Sequence, residues 1–223
     1  MKPSRVLLIV ILATAGLYVG GFAVLGSSFP TVDSSGQEVV EWFTQHGARA
    51  RAFSWTTAFI SLGLAIFGAQ VASVLPQPHG YIFLAGALGW AITSQVQGWF
   101  WAGLAFHPQG LDPSAARTIF AIPAYWGPLI NGSSATMAFA FISLGFGASR
   151  LVPSWLTWLS LVFFLEQSIE TITVFGQSGF LAPAGAMNVY VGGAIGFAWG
   201  AGVVNWAMKR MNADDHQALE AQG

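Results

Sequence analysis

Glu166 and Glu170 stand one helical turn apart in an otherwise apolar run between Pro153 and Gln177. A carboxyl group at membrane depth is expensive and by default marks function. Thr173 and Gln177 continue the same face at helical spacing. No Lys, Arg or His lies within the apolar runs to neutralise the pair. Two like charges roughly 6 Å apart on one helix face repel in a low dielectric, so the pair is expected to hold at least one proton. A neutral carboxylic acid can donate a proton or carry one.

Other apolar runs carry polar and aromatic stripes at the same spacing. Trp90, Ser94, Gln97 and Trp101 share a face, with Gln95 beside them. Asn131 and Ser134 are one turn apart, and a further line runs from Asn188 through Ile195 to Trp199. Polar groups facing lipid are too costly to leave unpaired. The economical arrangement turns these stripes toward one interior site. Tyr125 and Trp126 join it as ligand-binding candidates, because Pro123 and Gly127-Pro128 break or bend the helix entry there. Equally, that stretch reads as a plain helix start.

The chemistry of such a site has several readings. Aromatic faces stabilise nearby cations. An acid with an aromatic wall therefore suits acid/base catalysis on a hydrophobic, isoprenoid- or lipid-like substrate, such as cyclisation or isomerisation. The catalytic residues would be Glu166 and Glu170. The ligand-binding residues would be Gln95, Gln97, Trp101, Tyr125, Trp126, Asn131, Asn188 and Trp199. The same acids suit a small proton-coupled transporter or channel. In a third reading they hydrogen-bond to Gln97 or Asn131 and hold the helices of an accessory subunit together. His46, His79, His107 and His216 fall in separate links and the tail, without metal-ligand spacing. Neither a metal nor a cofactor is signalled.

The elements that must position these residues follow from composition. The 223 residues are 54% hydrophobic and only 8% charged, against about 25% charged in a soluble domain. Mean hydropathy is +0.60. The net charge of −1 excludes a nucleic-acid footprint. With no cysteine, disulfides, thiolate metal sites and cysteine nucleophiles are excluded. The expected fold is all-α: a polytopic membrane protein with a six-transmembrane-helix bundle. Its spans are Val6–Leu25, Ala52–Leu75, Tyr81–Phe106, Tyr125–Gly147, Trp155–Phe175 and Met187–Met208. Proline and glycine punctuate the links.

The first run exceeds the apolar core of a signal peptide and reads as an uncleaved span. After it, Ser34 to Gln45 carries capping-box spacing and an apolar side of Val39, Val40, Trp42 and Phe43. This is a short interfacial helix or an extension of the second span. Residues 1–210 form one membrane domain and 211–223 a polar tail. Lys2, Arg5, Arg150, Lys209 and Arg210 lie on one side, and Arg49, Arg51 and Arg117 on the other. Both termini are therefore expected in the cytoplasm of an inner-membrane protein. Small residues at four-residue spacing (Gly16 and Gly20; Ser61, Ala65 and Ala69; Gly192, Gly196 and Gly200) are packing seams or a homo-oligomer face. The expected partners are membrane lipid and a hydrophobic small molecule.

The stretch Gly26-Ser-Ser-Phe-Pro30, the segment Asp33 to Arg49, and Arg150-Leu-Val-Pro153-Ser-Trp155-Leu-Thr-Trp158 carry a resemblance. The chain resembles an uncharacterised family of small six-helix bacterial membrane proteins common in actinobacteria. That resemblance implies a six-helix bundle and no function.

Overall fold

Helix boundaries follow local chemistry along the whole chain. The computed structural model describes residues 2–147, 151–176 and 178–220, with all side chains except those of Trp126, Pro128, Leu129, Ala218 and Leu219. Among the described residues there are seven α-helices and no strand: α1 Pro3–Leu25, α2 Gly36–Ser73, α3 His79–Phe106, α4 Pro113–Ala124, α5 Trp126–Gly145, α6 Ser154–Glu170 and α7 Gly193–Glu220. Proline opens α1 and α4 at positions where no backbone N–H is needed. Gly26, at φ 80°, turns the chain out of α1. Ser35 and Glu38 complete a reciprocal capping box at the start of α2, at 3.2 Å and 2.6 Å. A 3₁₀ turn, Thr171–Phe175, continues α6, and a π-helical turn, Met187–Gly192, leads into α7.

Four helical stretches are long and apolar enough to cross a membrane: Pro3–Leu25, Gly36–Ser73, Ser154–Phe175 and Met187–Gln217. Large apolar side chains cover the outside of the molecule, among them Leu12, Trp55, Trp99, Trp158 and Phe197, each more than half exposed. A water-soluble monomer rarely shows so much apolar surface. Helices α3 and α5 fall outside the set of four. They carry Gln95 and Gln97, and Asn131, Ser133 and Ser134, respectively.

In chain order α1, α2, α3, α5, α6 and α7 pack each against the next, and α7 returns to α1. Neighbours run antiparallel. Gly63 meets Thr14, Gly68 meets Ala87, Gly86 meets Met137, Gly145 meets Thr157, and Gly202 meets Leu156. Where association depends on close packing, a missing Cβ lets backbones approach. Ser4 Oγ donates to Asn212 Oδ1 at 2.7 Å, which brings the two ends of the chain to the same end of the ring. Asn212 lies in the expected tail, yet α7 runs on through it to Glu220.

The opposite end is capped, and here the structure departs from expectation. Residues 36–45 are the first turns of α2, joined to the rest through a kink at His46 (φ −121°, ψ 18°). Their apolar side does not lie on lipid. Val39, Trp42 and Phe43 are buried with Leu25, Phe53, Trp101, Leu104 and Phe120. Helix α4, read from sequence as a link, completes this cap. Its start was legible in Asp112-Pro113, where the Asp112 carboxylate accepts from Ala115 N–H at 3.0 Å. Phe120 touches Phe29, Phe43 and Trp101, with ring centroids 5.6–6.2 Å apart. Truncating a buried Phe to Ala typically destabilises by about 3–5 kcal/mol. Phe120→Ala is therefore expected to lower the unfolding midpoint in detergent, whereas Ile122→Ala on the exposed side of α4 leaves it near wild type.

Candidate functional site

The site is built where three helix ends meet below the cap. Helix α6 runs toward the capped end and stops at Glu170, and α5 and the π turn before α7 both begin there. Three residues of the fifth-span stripe point inward: Glu166 is 9% exposed, Glu170 1% and Thr173 0%. Thr173 Oγ1 donates to the Glu170 carbonyl at 2.8 Å, satisfying a carbonyl that the helix end releases. Gln177 lies outside the described residues.

The two carboxyl groups share one donor. Gln167 Nε2 donates to Glu166 Oε2 at 2.8 Å and to Glu170 Oε2 at 3.3 Å. Asn188 Nδ2 donates to Glu170 Oε2 at 3.0 Å. One oxygen of each carboxyl is thus held, and Glu166 Oε1 and Glu170 Oε1 are buried without a hydrogen-bond partner. The carboxyls are within hydrogen-bonding reach of each other. Asn131 sits beside Glu170, yet its Nδ2 is buried and makes no hydrogen bond of acceptable geometry. Among the described residues, no Lys, Arg or His forms an ion pair with either acid.

Backbone shape sets the fit. A Cβ at Gly192 would lie 2.6 Å from Glu170 Oε1 and 2.9 Å from its carboxyl carbon. The π-helical turn therefore presents a bare Cα to the acid. At Gly127 a Cβ would lie 3.4 Å from the Asn188 amide, so the start of α5 closes the other side. Gln167 escaped the sequence reading, which placed Gly192 on a packing seam but did not link it to the acids. Gln167 is adjacent to Glu166, off the i, i+4 stripe, but it stands three residues before Glu170. That spacing carries the signal.

The remaining predicted residues are not gathered here. Trp101 belongs to the cap, where its ring lies 4.7 Å from Phe29 and 5.3 Å from Phe53. Trp199 is in the main core, stacked on Phe163 at 4.5 Å and donating from Nε1 to Ser160 Oγ at 2.9 Å. Periodicity placed both tryptophans on an inward face, but the neighbours they find are other aromatic rings. Gln97 is buried with Nε2 unpartnered, Gln95 is half-buried, and Tyr125 is the hinge residue between α4 and α5. The Trp126 side chain lies outside the described residues. The two best-formed clefts are also elsewhere. One, of about 310 Å³, is lined by Trp99, Gly103, Leu111 and Ile119. The other, of about 270 Å³, lies along Gly16, Gly20 and Trp55. Neither borders the acids.

The chain matches no protein-family model, and neither a curated protein nor a solved structure is similar to it.

The packing at Gly192 gives a direct test. Overfilling a packed site commonly destabilises by about 1–3 kcal/mol. Gly192→Ala is expected to lower thermal stability in detergent and to displace the Glu170 carboxyl. Gly193→Ala, where a Cβ meets open space, is expected to change neither.

Proposed function

We propose that this chain is a six-span protein of the inner membrane, with both termini in the cytoplasm. We further propose that it works as a small proton-coupled carrier whose exchangeable proton sits on the Glu166–Glu170 pair. The six-span reading rests on the closed antiparallel ring. Helices α3 and α5 are the two ring members outside the four apolar stretches, and at 28 and 20 residues they reach about 42 Å and 30 Å. A hydrocarbon core is about 30 Å thick. Lys2, Arg5, Lys209 and Arg210 cluster at the terminal end, whereas Arg49, Arg51 and Arg117 belong to the capped end, which sets the orientation. Membership of the actinobacterial family that the chain resembles fits this architecture and assigns no activity.

One observation carries the functional reading: two neighbouring carboxyl groups, each with one oxygen held and one oxygen without a partner, and among the described residues no cationic side chain that pairs with them. Shared protonation is the simplest way to keep such a pair in a low dielectric. Losing the proton leaves two charges at the junction of α6, the π turn and α5. Repulsion there works against the tight Glu170–Gly192 contact, which couples proton occupancy to helix packing. Acid/base catalysis on a hydrophobic substrate needs a cavity beside the acids, and the two clefts described above border other residues.

Infrared difference spectroscopy of the purified protein is expected to show a protonated carboxylic C=O band that disappears at high pH. Glu166→Gln and Glu170→Gln should each remove it. In vesicles loaded with a pH-sensitive dye, Glu170→Gln is expected to reduce proton flux to below about a tenth of wild type, as befits an intramembrane acid on the ion path. Full flux in both variants, with the band unchanged, would sink the reading.

A further inference from the structure

The oxygens left free at the acid pair are arranged for more than a proton. Glu166 Oε1, Glu170 Oε1 and Asn188 Oδ1 are all buried and unpartnered. Their companion atoms are already held: Gln167 holds Oε2 of both glutamates, and Asn188 spends its Nδ2 on Glu170. The result is three buried oxygen acceptors that make no hydrogen bond of acceptable geometry. Asn131 is a second, independent indication. It is 4% exposed, beside Glu170, and its Nδ2 is idle. The two ends of an asparagine amide exchange by a half-turn of the side chain. After that turn, Asn131 presents a fourth oxygen.

The backbone adds to the same potential. Helix α6 terminates at Glu170 with no basic residue in its last turn. A helix C-terminus carries partial negative charge and favours a cation. Carboxylates placed there, beside a π-helical turn, make a concentration of negative potential that no basic side chain among the described residues compensates. Discontinuous helices at membrane depth bind small cations with such ends.

We propose that Glu166, Glu170, Asn188 and Asn131 form a site for a small alkali cation, with Na⁺ as the reference ion, and that the cation competes with the shared proton. The proposal rests on the proton-exchange reading of the same pair. The exchange balances. With one proton on the pair the site carries a single negative charge. Na⁺ enters on the freed carboxylate oxygens, the O–H bond breaks, and H⁺ leaves to water, so the net charge is unchanged. Ca²⁺ takes six to eight oxygens and Mg²⁺ keeps several waters in a strict octahedron. Four side-chain oxygens in a packed interior suit neither. Among the described residues no three His, Cys, Asp or Glu side chains converge, so the donor set is not that of zinc or a transition metal.

The test uses the full chain in detergent under weak buffering. Adding NaCl, with choline chloride as the control salt, is expected to release up to one proton per protein near neutral pH. It should also raise the unfolding midpoint by ~2–4 °C when Na⁺ is well above its Kd. Both effects should fade as pH falls, because protons then hold the site. Glu170→Gln should abolish proton release. Asn131→Ala should weaken the Na⁺ effect several-fold while retaining the carboxylic C=O band. Identical responses of the wild type to NaCl and choline chloride overturn the proposal. If the band and its pH titration persist in that case, the proton reading stands alone. If the band is missing as well, both fall. Because the deciding comparison is made on the wild type, a variant that fails to fold does not blunt it.

Discussion

The structure turns on one electrostatic constraint: two carboxyl groups lie on the buried face of α6 at its end, and among the described residues no basic side chain pairs with them. Burial, like charge and the helix dipole all make uncompensated negative charge costly at such a place. Every neighbouring feature bears on that problem. Gln167 supplies one donor to both acids, and Asn188 supplies another to Glu170. Gly192 removes the atom that would crowd Glu170. The helix itself gives way at this point, passing from α to 3₁₀ geometry while its partner begins as a π turn. Irregular backbone inside a membrane protein is tolerated where protein encloses it, and here the ring of six helices does so.

The two ends of the ring solve different problems. Toward the termini the interior is packed with aromatic and aliphatic groups, including Phe67, Phe83, Phe141, Phe163 and Trp199, and Ser160 bonds both Trp199 and the Leu156 carbonyl, while Gln70 Oε1, His79 Nδ1 and Trp90 Nε1 are buried without partners. Toward the cap, buried polar atoms are left without partners at His46, Trp101, Gln97, Asn131 and Asn188. Buried polar groups normally find partners, and those without a protein partner mark places for water or an ion.

Much of the architecture was legible in the chain. Glycine and proline marked the links, and apolar length marked the helices. The 3.6-residue period placed Glu166, Glu170 and Thr173 on one buried face. What the period could not supply was the identity of the neighbour. Trp101 and Gln97 share a stripe, yet Trp101 packs into the cap because α4 folds back over it, an event decided by contacts distant in sequence. Gln167 was overlooked because it flanks the stripe. The apolar side of residues 36–45 looked like a membrane face for the same reason: hydrophobicity reads alike whether lipid or Phe120 covers it.

Ser4 and Asn212, on the first and last helices, join at 2.7 Å. A ring closed by its two extremes has no finished interior while the chain is still being made. Helix α6 enters the bilayer before the residues that complete its acid site, Asn188 and Gly192, have left the ribosome. During that interval Glu166 and Glu170 have Gln167 and Asn131 beside them. The acid site is therefore complete only once the π turn before α7 is in place, and a chain truncated before that turn leaves its carboxyl pair without Asn188 and Gly192, on an open flank.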